Sequence, residues 1–167
     1  WEKNRSCFTE EYQSGHFKYS GRKNSHLSGK ISRLRNINMK IISIPHPSLR
    51  EKAKKVEKNT SEFSNFLSEM KEMLIGASNP SGVGLAAPQV DNLYRVFLTL
   101  IEDGQKEPQE FINPTIVKHS EDKSFGPDPE NPRLEGCLSM PGLYGPVPRW
   151  EWVELEFEKI ENGKFVS

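Results

Sequence analysis

Two short stretches hold the residues whose types could do chemistry. Residues 135–142, Glu-Gly-Cys-Leu-Ser-Met-Pro-Gly, set one thiol, Cys137, between a glycine and a leucine, with the Glu135 carboxylate two positions before it. A thiol in that setting can be a nucleophile, a metal ligand or a small buried hydrophobe, and free cysteines are among the most buried residue types. A nucleophilic cysteine needs a base, and the main body offers His46 and His119, neither with a flanking motif. His46 lies between Pro45 and Pro47 and reads as a surface turn residue. A zinc or iron ligand needs two or three partners, and neither a His-x-x-x-His nor a second cysteine follows Cys137. On residue types alone the buried hydrophobe is favoured.

The second stretch, residues 82–89, is Gly-Val-Gly-Leu-Ala-Ala-Pro-Gln. Small residues let another backbone come close, so the segment suits an extended peptide pairing edge-on at Val83, flanked by Gly82 and Gly84. Gln89 brings a carboxamide a fixed distance from that platform, able to donate toward a developing negative charge. A phosphate loop is a poor match, because no Lys-Ser/Thr follows the glycines. A tight helix-to-strand connection would account for the glycines and leave Ala-Ala-Pro-Gln unexplained.

The elements that must position these residues are legible around them. Thr60 to Ala77 predicts a helix: Thr60 is a good N-cap, and Glu62 sits where the dipole favours negative charge. Phe63, Phe66, Leu67, Met70, Met73 and Leu74 form one apolar stripe at three- and four-residue steps, and Gly76 and Pro80 end it. Met39–Ile44 is a short apolar run stopped by prolines and predicts an edge strand. Arg95–Leu100 and Phe111–Val117 predict strands, the second at an edge or a bulge because it carries Pro114. Between them, residues 101–108 form a polar loop turning at Asp103-Gly104, and residues 118–133 read as a loop or insertion. From Trp152 the pattern alternates, with Val153, Leu155 and Phe157 on one face and Glu154, Glu156 and Glu158 on the other. Asn162-Gly163 is then a hairpin turn leading to Phe165-Val166. The fold class is α+β, with small mixed or antiparallel sheets around one helix.

The chain has 167 residues, with 23 basic and 23 acidic side chains. That length fits one domain, while 34% hydrophobic content and a mean hydropathy of −0.69 suggest that part of it joins no core. Residues 1–38 hold eight basic and three acidic residues, +5, leaving 15 and 20, −5, for residues 39–167. The basic leader could contact nucleic acid or the ribosome, act as an organelle transit peptide, or have no function. Translation beginning at Met39 is the favoured expectation, and Cys7 reads as a lone surface thiol. No apolar run approaches the ~18 residues that span a bilayer, and two cysteines cannot build a disulfide framework. An intracellular, soluble protein is expected, with no nucleic acid bound by the acidic body.

The pair GVGLAAPQ and EGCLS, in that order, resembles peptide deformylase, the family that removes the formyl group from the N-terminal formyl-methionine of newly made proteins. MKIISIPHPSLREKAKKV, FINPTI, PGLYGPVPR and the ENGK turn extend the likeness over residues 39–167. The resemblance implies that Cys137 is a thiolate ligand of one divalent metal: ferrous iron in much of the family, or zinc or nickel. It implies that the Gln89 side chain and the Leu138 N–H form an oxyanion hole, and that Gly82, Val83, Gly84 and Gly136 pair with the substrate backbone. Glu135 would be a supporting carboxylate answered by Arg149. Nascent formyl-Met polypeptides near the ribosome would be the partners, the protein a cytoplasmic monomer. The family's third motif, a helical His-Glu-x-x-His that gives two more ligands and the proton-transfer Glu, does not occur in these residues. The domain is therefore expected to be C-terminally incomplete, without its metal-binding helix, and inactive as written. The alternative is a non-catalytic peptide-binding module.

Overall fold

The computed structural model describes residues 39–77, 82–100, 107–126, 128 and 130–167. The leader, Cys7, Pro80 and the Asp103-Gly104 turn lie outside the described residues. The fold is α+β. Helix α1 runs Ser61–Gly76, with the Thr60 hydroxyl accepting from the Phe63 N–H at 3.2 Å. Phe63, Leu67, Met70 and Leu74 of the expected stripe are buried, and Phe66 and Met73 pack beside them. Gly76 closes the helix from inside its last turn, and Ala77 takes the C-cap.

The stripe needs an apolar partner, and an antiparallel sheet provides it. Its strands are β1 (Gly84–Ala86), β2 (Val96–Thr99), β3 (Gln109–His119), β8 (Val153–Glu161) and β9 (Lys164–Val166), in spatial order β1-β2-β3-β8-β9. Leu85, Val96, Leu98 and Ile112 meet the helix, and Leu98, Ile112 and Met70 are fully buried. Asn162 and Gly163 both have positive φ, as the two-residue hairpin demands, and Phe165 of the return strand meets the Phe63 ring edge-on at 6.0 Å.

The structure corrects some expectations and sharpens others. Residues 39–44 form no strand. Their N–H groups bond singly, Ile42 to the Gln89 carbonyl at 2.8 Å and Ile44 to the Ser139 carbonyl at 3.1 Å. Pro45 and Pro47 leave no donors to extend a ladder. Of the edge or bulge expected at Pro114, the bulge is what β3 shows, in an interior strand. It tolerates Pro114 because the register shifts between Ile112 and Thr115, with Asn113 at φ 51°. Residues 118–133 are not all loop: β4 (Lys123–Ser124) pairs with β7 (Arg149–Trp150). In β8 the alternation holds, but the apolar face is turned away from the helix. Phe157 joins the stack of Phe97 and Phe111, centroids 4.6 Å apart at each step, while Ile160 packs on the helix side. Two of the three glutamates on the other face are half-buried, Glu154 facing Lys118 at 3.2 Å and Glu158 accepting from Asn113.

The remaining strands, β5 (Leu134–Cys137) and β6 (Met140–Pro146), form a separate two-stranded hairpin. Ser139 is buried at its turn and Leu138 leans onto the core.

Candidate active site

The site lies between the edge strand β1 and the β5–β6 hairpin. Strand β1 bonds to β2 on one side, and among the described residues no strand pairs with its other edge, which is open to pairing. Just before it, Gly82 is buried and Val83 is 63% exposed, its carbonyl accepting from the Leu100 N–H at 2.9 Å. A Cβ on Gly82 would stand 2.9 Å from Leu74 and 3.4 Å from Leu138, so this glycine lets the hairpin turn close over the helix end. Gly136 meets a similar demand, since a Cβ there would lie 2.7 Å from the Tyr144 ring across the hairpin.

Strand β1 leads into a short 3-10 turn, Ala87–Val90, started by Pro88 and ended by Asp91 at φ 59°. That turn aims Gln89 back across the strand end. Its Oε1 accepts from the Ala86 N–H at 2.9 Å, which fixes which end of the amide is oxygen. Its Nε2 then faces the hairpin, 3.7 Å from Cys137 Sγ and 3.4 Å from Ser139 Oγ. Gln89 and Cys137, 48 residues apart, are thus in contact, with a donor turned toward a half-buried sulfur. Gly82, Val83 and Gly84 line the open edge, Gly136 is exposed on β5, and Leu138 adjoins Gly82.

Glu135 takes two hydrogen bonds from Arg149, 3.1 Å from Nε and 2.7 Å from Nη2, the fork geometry that arginine and carboxylate favour. That side-chain bond, together with the charge of Arg149, outweighs partial burial and holds the Glu135 carboxyl below its ordinary range. The same contact raises Arg149. The pair ties β5 to β7, behind the strand that bears Cys137.

The two histidines among the described residues are elsewhere in use. His46 Nδ1 accepts from the Ser48 N–H at 3.4 Å and caps a 3-10 turn, while His119 stacks on Trp150 at 4.1 Å. No group of three or more His, Cys, Asp or Glu among the described residues could hold a metal ion. Cys137 is one soft donor, and the residues around it do not complete a coordination shell.

Sequence reasoning gave no role to Ser139, to the Ile42 and Ile44 N–H groups, or to Asn113. Ser139 sits inside the quoted motif, and a hydroxyl amid Leu, Met and Pro was the available signal.

The model of the polypeptide deformylase family matches residues 38–167, the span that holds this site. The chain belongs to that family. A peptide deformylase of Acinetobacter baumannii (strain SDF) is 35% identical over 125 residues, covering 75% of this chain and 65% of its own length. That of Desulforudis audaxviator is 38% identical over 109 residues, covering 65% and 63%. The chain thus spans a little under two thirds of these deformylases. Among solved structures, a peptide deformylase from Synechococcus elongatus in complex with actinonin superposes with a TM-score of 0.64 at 32% identity, covering 80% of this chain and 68% of that one. A probable peptide deformylase from Synechococcus phage S-SSM7 gives 0.62 at 31%, covering 77% and 80%.

Proposed function

We propose that this chain carries the peptide-binding edge and the carbonyl-polarising amide of a deformylase, a hydrolase acting on the N-formyl group of formyl-methionine at the start of new polypeptides. The observation that carries the reading is the Gln89 carboxamide, oriented by Ala86 and set 3.7 Å from Cys137 beside the open edge of β1. An incoming peptide adds to that edge at Val83 as an extra strand, with Gly136 of the hairpin facing it. This brings the formyl oxygen to the Gln89 Nε2–H and the Leu138 N–H, donors for the oxygen that gains charge. Glu135, held ionised by Arg149, keeps β5 in register so that Cys137 stays opposite Gln89.

The family's divalent metal would supply an activated water as nucleophile. Cys137 would be one of its ligands, but among the described residues no group of three or more His, Cys, Asp or Glu stands together, so they do not by themselves fit a catalytic metal centre. The exposed edge at Val83 also supports a second reading, a peptide-binding module without hydrolysis. In both readings the partners are nascent formyl-Met chains, met in the cytoplasm by a monomer.

Calorimetric titration of the 167-residue chain with a formyl-Met peptide and its unformylated twin tests the shared part. The formylated peptide is expected to bind more tightly, and Gln89→Ala to erase roughly tenfold of that preference, about the worth of one neutral hydrogen bond. Equal binding of the two peptides would sink the proposal. Metal analysis of the same sample separates the readings: stoichiometric metal with turnover supports the hydrolase, and metal-free peptide binding supports the module.

A further inference from the structure

We infer that Ser139 is a positioning residue for Gln89: its buried hydroxyl fixes the carboxamide in the one orientation that can polarise a formyl oxygen. The inference rests on the peptide-binding reading above and deepens it.

The geometry is a three-point clamp. The Ala86 N–H can only donate, so it claims Oε1 and leaves Nε2 on the hairpin side. A primary amide has two N–H groups diverging in its plane. Here Ser139 Oγ at 3.4 Å and Cys137 Sγ at 3.7 Å stand as the two acceptors on that side. Sulfur is a weak acceptor, and a carbonyl entering at the β1 edge takes the N–H directed at Cys137. The N–H on Ser139 stays in place and keeps the amide plane from turning.

The backbone reinforces the pair. The Gln89 and Ser139 carbonyls accept from Ile42 and Ile44, two alternate residues of the same extended segment, so the two loops are held at one spacing. Ser139 is 2% exposed, so water does not compete for its hydroxyl.

A double-mutant cycle on the full chain tests this, read as the affinity ratio of formylated to unformylated Met peptide. Ser139→Ala is expected to lower that ratio about threefold to tenfold and leave the unformylated affinity unchanged. In a Gln89→Ala background it should change nothing, and Ser139→Thr, which keeps the hydroxyl, should restore the ratio. A merely structural serine would lower both affinities in both backgrounds, which overturns the inference. A second readout needs neither variant nor peptide: by nuclear magnetic resonance, the Gln89 side-chain amide hydrogens should exchange with solvent more slowly than those of the other glutamines. Exchange as fast as in a free glutamine side chain would also overturn it. If neither peptide binds, the functional reading fails, and the exchange rates still decide the role of Ser139.

Discussion

The two halves of the site are built on different physics. Gln89 belongs to the helix-and-sheet layer, where Phe63, Met70, Leu74, Leu98 and Ile112 are almost wholly removed from water. Cys137 belongs to the β5–β6 hairpin, where Leu134, Leu143 and Tyr144 are each about 60% exposed. The first half is held by apolar burial, which is non-directional and large in sum. The second is held by a few directed contacts: Leu138 on the core, the Ile44 N–H on Ser139, Gln89 on Cys137 and Ser139, and Arg149 on Glu135. A site spanning both sets a donor anchored on the core against a wall held by a few polar contacts.

Breaking the apolar half should cost most. Leu98 is fully buried in strand β2, and Leu98→Ala is expected to lower unfolding free energy by about 2–5 kcal/mol, the range for emptied core leucines. Urea unfolding followed by circular dichroism measures it. A loss below about 1 kcal/mol would mean that the sheet does not depend on this core. The seam should respond less, and differently. Gly82→Ala places a methyl 2.9 Å from Leu74 and 3.4 Å from Leu138, an overpacking worth about 1–3 kcal/mol. The tight contacts are with Leu74, locked in the core, and with Ala77 at 3.1 Å on the helix end, so the 82–84 segment itself should shift and carry the β1 edge with it. Formyl-peptide affinity is then expected to fall by more than the loss of stability alone explains. Unchanged affinity in a destabilised Gly82→Ala chain would place the turn outside the site.

The same division governs what could be read from the residues. Helix α1 and the Asn162-Gly163 hairpin were legible because their signals are local: a stripe at helical spacing, an N-cap, a turn demanding positive φ. Residues 39–44 were misread as a strand because their partners, Gln89 and Ser139, lie 47 and 95 positions away. Strands β4 and β7 are two residues each, too short for any period to register. Asn113 stayed hidden because its role is set by Val56, whose N–H and carbonyl it meets at 2.8 and 2.9 Å across 57 residues. For Cys137, residue types favoured a plain buried hydrophobe. The resemblance singled out both Gln89 and Cys137, and the turn after β1 brings the amide to a half-buried sulfur.

The smallest effect tests the polar half alone. Arg149 depresses the Glu135 carboxyl in the folded chain, so its contribution is fully present above the ordinary glutamate pKa of about 4.3. As pH falls through that value toward the lower folded one, the unfolded or opened state takes up the proton first and the contribution is lost. The Arg149 side chain is 65% exposed and that of Glu135 34%, so solvent screening holds the effect to at most about 1 kcal/mol. Hydrogen exchange of β5 and β6 amides, corrected for intrinsic rates and compared between pH 6 and pH 3, should show protection falling by up to about fivefold in the wild type. Glu135→Gln should show the lower protection at both pH values. Hairpin protection that ignores pH in the wild type would show that the bidentate pair is a surface ornament and that Leu138 and Ser139 alone hold the hairpin to the core.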